Sequence, residues 1–582
     1  MPEILPYVGL AVVVIAVVIA LSAVSDRLGV APPLILMLVG VGVSLLPFMS
    51  PVEIAPDWIL AVVLPPLLYS AAIAMPTVEF RRDLTAVGGL AILLVIVSAL
   101  VVGVIVHLVI PGIPWPIAIA LGAIISPTDA AATRIARRLG VPSRVGIILD
   151  GESLLNDATA LVLLRTAVAA TAATVSVWGV ALAFVWAALG AVGIGMAVGW
   201  AGVRLRRLVH DPAPATAISI LLPFVAYLLS EAVDASGLVA VVAAGIVAAQ
   251  LGPHHLDARQ RISERANWHT LAFLLEGAVF LVMGLELDAL ITDLHSQRET
   301  IWHAVGIAGL AIIATLLVRA AYIALLVRGT SRRTSRKVAR REHFRRVREA
   351  EPGRETDPVI LQRHEELLQR RAQLRARFLE ADPSARAHLA TRRERLRLSM
   401  KRYLADVEYL LEQPLGWREG TLLTWAGMRG VVTLAAAQTL PRSADHRSLL
   451  ILTAFFVAAG SLVLQGGTIS LVIQRLGLAG QDAAPEGEWA RLQEELAGVT
   501  GPPAPDRPER PEGTASTEGT PPGDATSDCP DTRAALARLH AQREVLLEWR
   551  AAGEYSCHSL ITAFAELDAE EMRIQLRLTA EC

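Results

Sequence analysis

Long apolar blocks constrain this chain more than any other feature. Residues 8–25, 85–110, 176–201, 268–287 and 302–327 carry few or no charges. A helix of about 20 such residues crosses the hydrocarbon core of a bilayer. Lipid offers no partner to backbone N–H and C=O groups, so segments of this kind are helices rather than open sheet. The chain as a whole is 53% hydrophobic, with a mean hydropathy of +0.49. The expectation is an all-α polytopic membrane protein with roughly thirteen transmembrane helices. They are placed near 6–25, 30–49, 57–75, 85–110, 116–137, 147–170, 176–200, 216–233, 236–251, 267–288, 302–327, 420–440 and 448–475.

Basic residues orient these spans, because Lys and Arg near helix ends favour the cytoplasmic side. Every second loop is basic: Arg27, then Arg81 and Arg82, then Arg134, Arg137, Arg138 and Arg144. Arg204, Arg206 and Arg207 follow, then Arg259, Arg261 and Arg265. The alternate loops at 49–57, 111–116, 171–176 and 233–237 carry none, with Arg298, Arg442 and Arg447 as exceptions. This predicts a multi-pass protein of the plasma membrane with its N-terminus outside and its C-terminus cytoplasmic. The first block has no basic n-region and no clear cleavage site, so it reads as a span rather than a signal peptide.

Composition shifts divide the chain into 1–328 (spans 1–11), 329–417 (a cytoplasmic helical insert), 418–480 (spans 12 and 13) and 481–582 (a cytoplasmic tail). The insert opens on a basic run, Arg332, Arg333, Arg336, Lys337, Arg340 and Arg341. Beside a membrane span such a run reads as a contact with anionic lipid rather than with nucleic acid. In the tail, 501–528 is rich in Pro, Gly, Ser and Thr and reads as a disordered linker. Residues 531–579 return to helical spacing, as a small regulatory or interaction module. Cys529, Cys557 and Cys582 all fall in that tail and read as reduced thiols, with no metal-ligand spacing to any histidine. No P-loop is present, so neither a nucleotide cofactor nor ATP drive is expected, and the chain does not read as an enzyme.

Ionisable groups inside a membrane are costly, and so mark function. In the fifth span Ser126-Pro127-Thr128-Asp129 places a proline at mid-membrane. Proline removes a backbone donor and clashes with the preceding turn, so the helix should break there. Freed carbonyls and half-helix ends are cation ligands in transporters with discontinuous helices. Asp129 can also cap the second half-helix, and the two roles are compatible. In the sixth span, Glu152, Ser153, Asn156 and Asp157 fall four apart in pairs, which puts polar groups on adjacent helix faces. In the twelfth, Gly427-Met428-Arg429-Gly430 sets an arginine between glycines, reading as a second broken or closely approached helix. That arginine needs a carboxylate or carbonyl partner. Breaks at matching places in two halves of a chain point to a transporter built from repeats. Glu276 and Arg319, in the tenth and eleventh spans, read as a structural ion pair, while Arg165 and His107 read as satisfied groups near span ends.

Together these motifs, with Leu64-Pro65-Pro66-Leu67-Leu68-Tyr69, resemble the monovalent cation:proton antiporter superfamily, in its sodium/proton exchanger branch (type 1) and bacterial members. The resemblance covers roughly residues 5–480 without the insert, and Leu547 to Glu554 resembles the tail extension of bacterial members. It implies thirteen helices in inverted repeats, a homodimer and an ion-carrying core that moves like an elevator. It implies that Thr128, Asp129, Ser153 and Asp157 bind the ion, that Glu152 and Arg429 hold Asn156, and that Glu276 pairs with Arg319. Its Asn156-Asp157 pair implies electroneutral exchange. Ser70 stands where some members carry an acid after the Pro-Pro motif, which argues against an acidic ligand from that helix. The partners implied are Na+, H+ and the lipid bilayer. K+/H+ exchange on the same scaffold and a membrane sensor are the alternatives. A channel would need a continuous pore with rings of carbonyls or charges, and no filter-like repeat is present.

Overall fold

A computed structural model describes residues 12–21, 32–46, 58–172, 177–209, 211–296, 300–349, 409–411, 413–441, 444–481, 487–499, 530–552 and 555–581. Among the described residues the chain is helical and contains no strand. The elements are α1 (Val12–Leu21), α2 (Pro32–Ser44), α3 (Leu64–Ala74), α4 (Thr77–Arg82) and α5 (Leu84–Val109). Next come α6 (Trp115–Ile125), α7 (Ala131–Arg138), α8 (Ser143–Ala172), α9 (Val177–Arg206) and α10 (Pro212–Glu231). They are followed by α11 (Gly237–His255), α12 (Ala258–Leu285), α13 (Leu287–Ser296), α14 (Ile301–Glu349), α15 (Trp417–Trp425), α16 (Val431–Gln438) and α17 (Arg447–Leu476). The tail supplies α18 (Glu488–Ala497), α19 (Pro530–Ala552) and α20 (Cys557–Glu581).

Among the described residues six stretches are long and apolar enough to cross a membrane: Leu84–Val109, Leu182–Arg206, Pro212–Glu231, Ala258–Leu294, Ile301–Thr330 and Arg447–Leu476. α14 does not stop at the membrane boundary expected near residue 328; it continues as one helix to Glu349. Most of the insert and the segment expected to be a disordered linker lie outside the described residues.

The helices pack in two groups. α2, α3 and α9 to α12 form one, and α5, α6, α8 and α14 to α17 form the other. Glycine makes the first group tight. A Cβ on Gly40 would stand 2.3 Å from the Leu281 carbonyl oxygen, and one on Gly284 would stand 2.3 Å from that of Met37. Small residues at such crossings let helix backbones touch, which drives association where lipid removes the hydrophobic effect. Polar groups pin the same bundle. Arg206 on α9 donates to Glu264 on α12 at 2.8 and 2.7 Å, and Ser219 on α10 donates to the same carboxylate at 2.6 Å.

Where the chain returns from the insert it is clamped to the start of α8. Arg144 donates to Asp83 at 2.7 Å and to the Gln413 carbonyl at 2.6 Å, and the Tyr409 hydroxyl donates to Asp83 at 3.1 Å. Burial, then the Asp83 charge, push the Tyr409 phenol above its ordinary range, so it stays a donor.

The glycine crossing is testable. Gly284→Ala forces α2 and α12 apart and should cost about 1–3 kcal/mol, lowering the melting temperature of the purified protein. Gly306→Ala, where a Cβ meets nothing within 4 Å, should leave it unchanged. Equal melting of the two variants would contradict the packing account.

Candidate functional site

Both expected helix breaks are present, and they cross. α6 ends at Ile125, residues 127–129 have no regular secondary structure, and α7 begins at Ala131. α15 ends at Trp425, 427–430 have no regular secondary structure, with Gly430 extended, and α16 begins at Val431. The Asp129 N–H donates to the Met428 carbonyl at 2.8 Å, so a group freed by one break satisfies a group freed by the other. Only glycine fits at this crossing. A Cβ on Gly430 would lie 1.6 Å from Asp129 Oδ2. Asp129 Oδ1 accepts the Ala131 N–H at 2.7 Å, which satisfies a donor in the first turn of α7, although the N-cap position itself is Ala130.

Thr128 and the sixth-span motif join beside the crossing. The Thr128 hydroxyl donates to Glu152 Oε1 at 3.2 Å and accepts from Asn156 Nδ2 at 2.7 Å. That chain of donors fixes the Asn156 amide orientation, and leaves Asn156 Oδ1 buried without a hydrogen-bond partner. Asn156 is therefore held by Thr128 directly and by Glu152 only through it. Arg429, implied by the resemblance to hold Asn156, instead donates to the Ile125 carbonyl at 3.0 Å and to the Gly427 carbonyl. Those carbonyls are left without helical partners by the two breaks, which is why a cation is stable there. The Arg429 N–H donates to Ser461 Oγ at 2.9 Å. Ser461 was not anticipated; a lone serine in an apolar span gives no signal of its own.

The pairing expected between Glu276 and Arg319 does not form. Arg319 donates through Nη1 and Nη2 to Glu152, at 2.8 Å for Nη2, and both side chains are 2% exposed. Its Nε donates to the Leu423 carbonyl at 2.8 Å. Gly427 makes room for this reach, since a Cβ there would stand 2.7 Å from Arg319 Cδ. Glu276 pairs instead with Arg134 on α7, one turn beyond the first break. Arg165 pairs with Glu231 at 2.8 Å, and His107 Nδ1 donates to the Ile113 carbonyl at 2.9 Å.

Ser153, Asp157, Thr128, Asp129, Glu276 and Gly430 line one cavity of about 1240 Å³. Among the described residues no hydrogen-bond donor is bonded to Asp157 or Ser153, and Asp129 and Asp157 line the same cavity. The cavity thus brings together the Asp129 and Asp157 carboxylates and the hydroxyl oxygens of Thr128 and Ser153, all hard ligands suited to a small cation. Among the described residues no cluster of three or more His, Cys, Asp or Glu could hold a metal ion.

Two crossed helix breaks beside the Asp129 and Asp157 carboxylates are the arrangement found in membrane transporters with discontinuous helices. The family model described as "Sodium/hydrogen exchanger, transmembrane" matches residues 13–345, more than half of the chain, and the chain belongs to that family. It is similar to an uncharacterized Na(+)/H(+) exchanger, YjcE, of Escherichia coli (strain K12), 35% identical over 294 residues, 48% of this chain and 53% of that one. It is also similar to a "Sodium, potassium, lithium and rubidium/H(+) antiporter" of Bacillus pumilus, 33% identical over 301 residues, 50% of this chain and 45% of that one. The matched stretch spans about half the length of either relative. The fold resembles the sodium proton antiporter MjNhaP1 from Methanocaldococcus jannaschii, with a TM-score of 0.55 and 15% identity over 81% of this chain and 99% of that one.

The Glu152–Arg319 pair carries a prediction. Removing one partner of a buried pair leaves an uncompensated charge, at a cost of about 3–5 kcal/mol. Arg319→Ala should sharply lower folded yield and melting temperature, and adding Glu152→Ala should recover part of that loss. A double variant as unstable as the sum of both single ones would contradict the pairing.

Proposed function

We propose that this protein exchanges Na+ for H+, one for one, across the plasma membrane. The observation that carries the reading is the charge balance of the groups around the cavity. Arg319 neutralises Glu152, and Arg134 neutralises Glu276. That leaves Arg429 against Asp129 and Asp157. With both aspartates ionised, the remainder is a single negative charge. One proton or one monovalent cation removes it, and a site of zero charge is the form that can cross an apolar barrier. Asp157 is the group where the two compete, because a carboxylate that holds the proton has lost the charge that attracts the cation.

Thr128, Asp129, Ser153 and Asp157 are the proposed ligands. The Thr128 hydroxyl has donated its proton and accepted one bond, so one lone pair is left. The unpartnered Asn156 Oδ1 is a spare acceptor beside it, and a desolvated cation satisfies such an oxygen. Thirteen helices in inverted repeats, a homodimer, and an elevator-type movement of the helix group carrying the breaks complete the reading. The alternating basic loops support a cytoplasmic tail and an external N-terminus. The physiological role that follows is pH and sodium homeostasis. A second reading, K+/H+ exchange at the same site, is favoured by the Bacillus pumilus relative named for sodium, potassium, lithium and rubidium.

Reconstituted vesicles under a pH gradient, challenged with each alkali cation in turn, test the proposal. Na+ should dissipate the gradient, and an imposed membrane potential alone should drive no exchange. Lowering the pH should raise the apparent KM for Na+ while the maximal rate at saturation holds. Asp157→Asn should abolish exchange and leave the protein folded, since the amide imitates the protonated acid. A pH-independent KM, or substantial exchange by Asp157→Asn, would overturn the mechanism. A greater response to K+ would favour the second reading, and no flux with any cation would leave a sensor.

A further inference from the structure

The tail forms a small body with its own core. Leu492 of α18, Leu539 and Leu546 of α19, and Leu560 and Leu567 of α20 are buried together. Within it, Asp568 and Glu571 are also buried, at 6% and 3% side-chain exposure. Arg543 of α19 reaches both, at 2.5 Å each, and His540 stands 4.0 Å from Glu571. One permanent cation against two carboxylates leaves a negative charge over, which burial makes costly. The missing charge comes from the membrane body. Arg261, in the first turn of α12, lies 2.5 Å from Asp568 and 3.9 Å from Glu571, with its own side chain 13% exposed. A second contact runs from Arg550 of α19 to the Thr77 hydroxyl of α4 at 3.3 Å.

These contacts stand at a particular place. The cavity lined by Asp129 and Asp157 is also lined by Arg261, Arg543, Phe564 and Asp568. The tail therefore forms part of the wall of the space that serves the ion site.

We infer that the tail is a lid over the cytoplasmic entrance to the ion site, latched by Arg261 to Asp568 and Glu571, and that the docked lid limits exchange. The inference rests on reading the cavity as the ion path. A latch of this kind is electrostatic and local: neutralising either side leaves the helices of the other body intact. It needs no change in the ion ligands themselves, since it acts on access alone.

The test reads access and transport separately. In a chain with Cys529, Cys557 and Cys582 replaced by serine, Ser70→Cys puts a thiol in the cavity wall. Everted membrane vesicles present the tail side to a membrane-impermeant maleimide, and the labelling rate is measured. Arg261→Glu should raise that rate about tenfold or more, because a buried latch has lost a partner and gained a repulsion. Asp568→Asn with Glu571→Gln, which neutralises the latch from the tail side, should do the same and guards against misfolding of the first variant. Na+-driven proton flux should rise in parallel. An unchanged labelling rate in both variants would overturn the lid. Faster labelling with unchanged flux would overturn its control of exchange. Faster labelling with no flux in any variant, the parent included, would uphold the cover and refute the antiport reading instead.

Discussion

The hydrogen bond from the Asp129 N–H to the Met428 carbonyl is the constraint on which the rest of the site depends. Two helices are broken inside a medium that offers no water, and each break exposes backbone groups that must find partners in the protein. They find them in one another and in Arg429, whose guanidinium takes carbonyls from both breaks. Gly430 is a consequence, since a side chain there would occupy the space of the Asp129 carboxylate. Gly427 is another, since it opens the path by which Arg319 reaches Glu152. With Glu152 neutralised, its carboxylate can accept from Thr128, and Thr128 can hold Asn156. The proposed ion site is thus assembled outward from a polar crossing that the bilayer would otherwise forbid.

The same logic explains why Asp157 stands apart. Asp129 spends one carboxylate oxygen on the Ala131 N–H, and Glu152 is committed to Arg319. Asp157 faces the cavity with no protein donor among the described residues. A carboxylate in that position is free to exchange its partner without dismantling the scaffold, which a transport site requires.

The breaks were legible in the sequence because Pro127 and the glycines around Arg429 have few structural uses at mid-membrane. The polar face of α8 was legible from spacing alone, since Glu152, Ser153, Asn156 and Asp157 leave only one helical arrangement. The ion pairs were not. Glu152, Glu276, Arg319 and Arg429 all needed partners, and linear order does not say which helices touch. Glu276 lies much closer in sequence to Arg319 than to Arg134, yet it is Arg134, carried on the half-helix after the break, that meets it. Tail docking was hidden for a related reason. Nothing in the linear sequence sets Asp568 and Glu571 apart from the other acids of α20, and only the packed tail reveals that both are buried and short of one positive charge.

The central claim is that one carboxylate trades a proton for a cation, and proton release on cation binding tests it most directly. Purified protein in weakly buffered solution near neutral pH is titrated with Na+ while the released protons are measured. Competition at Asp157 predicts that binding liberates protons, at most about one per site, that the release fades as pH rises and the site empties of protons, and that Asp157→Asn releases none. Saturable Na+ binding that liberates no proton at any pH, or an undiminished release by Asp157→Asn, would contradict the account.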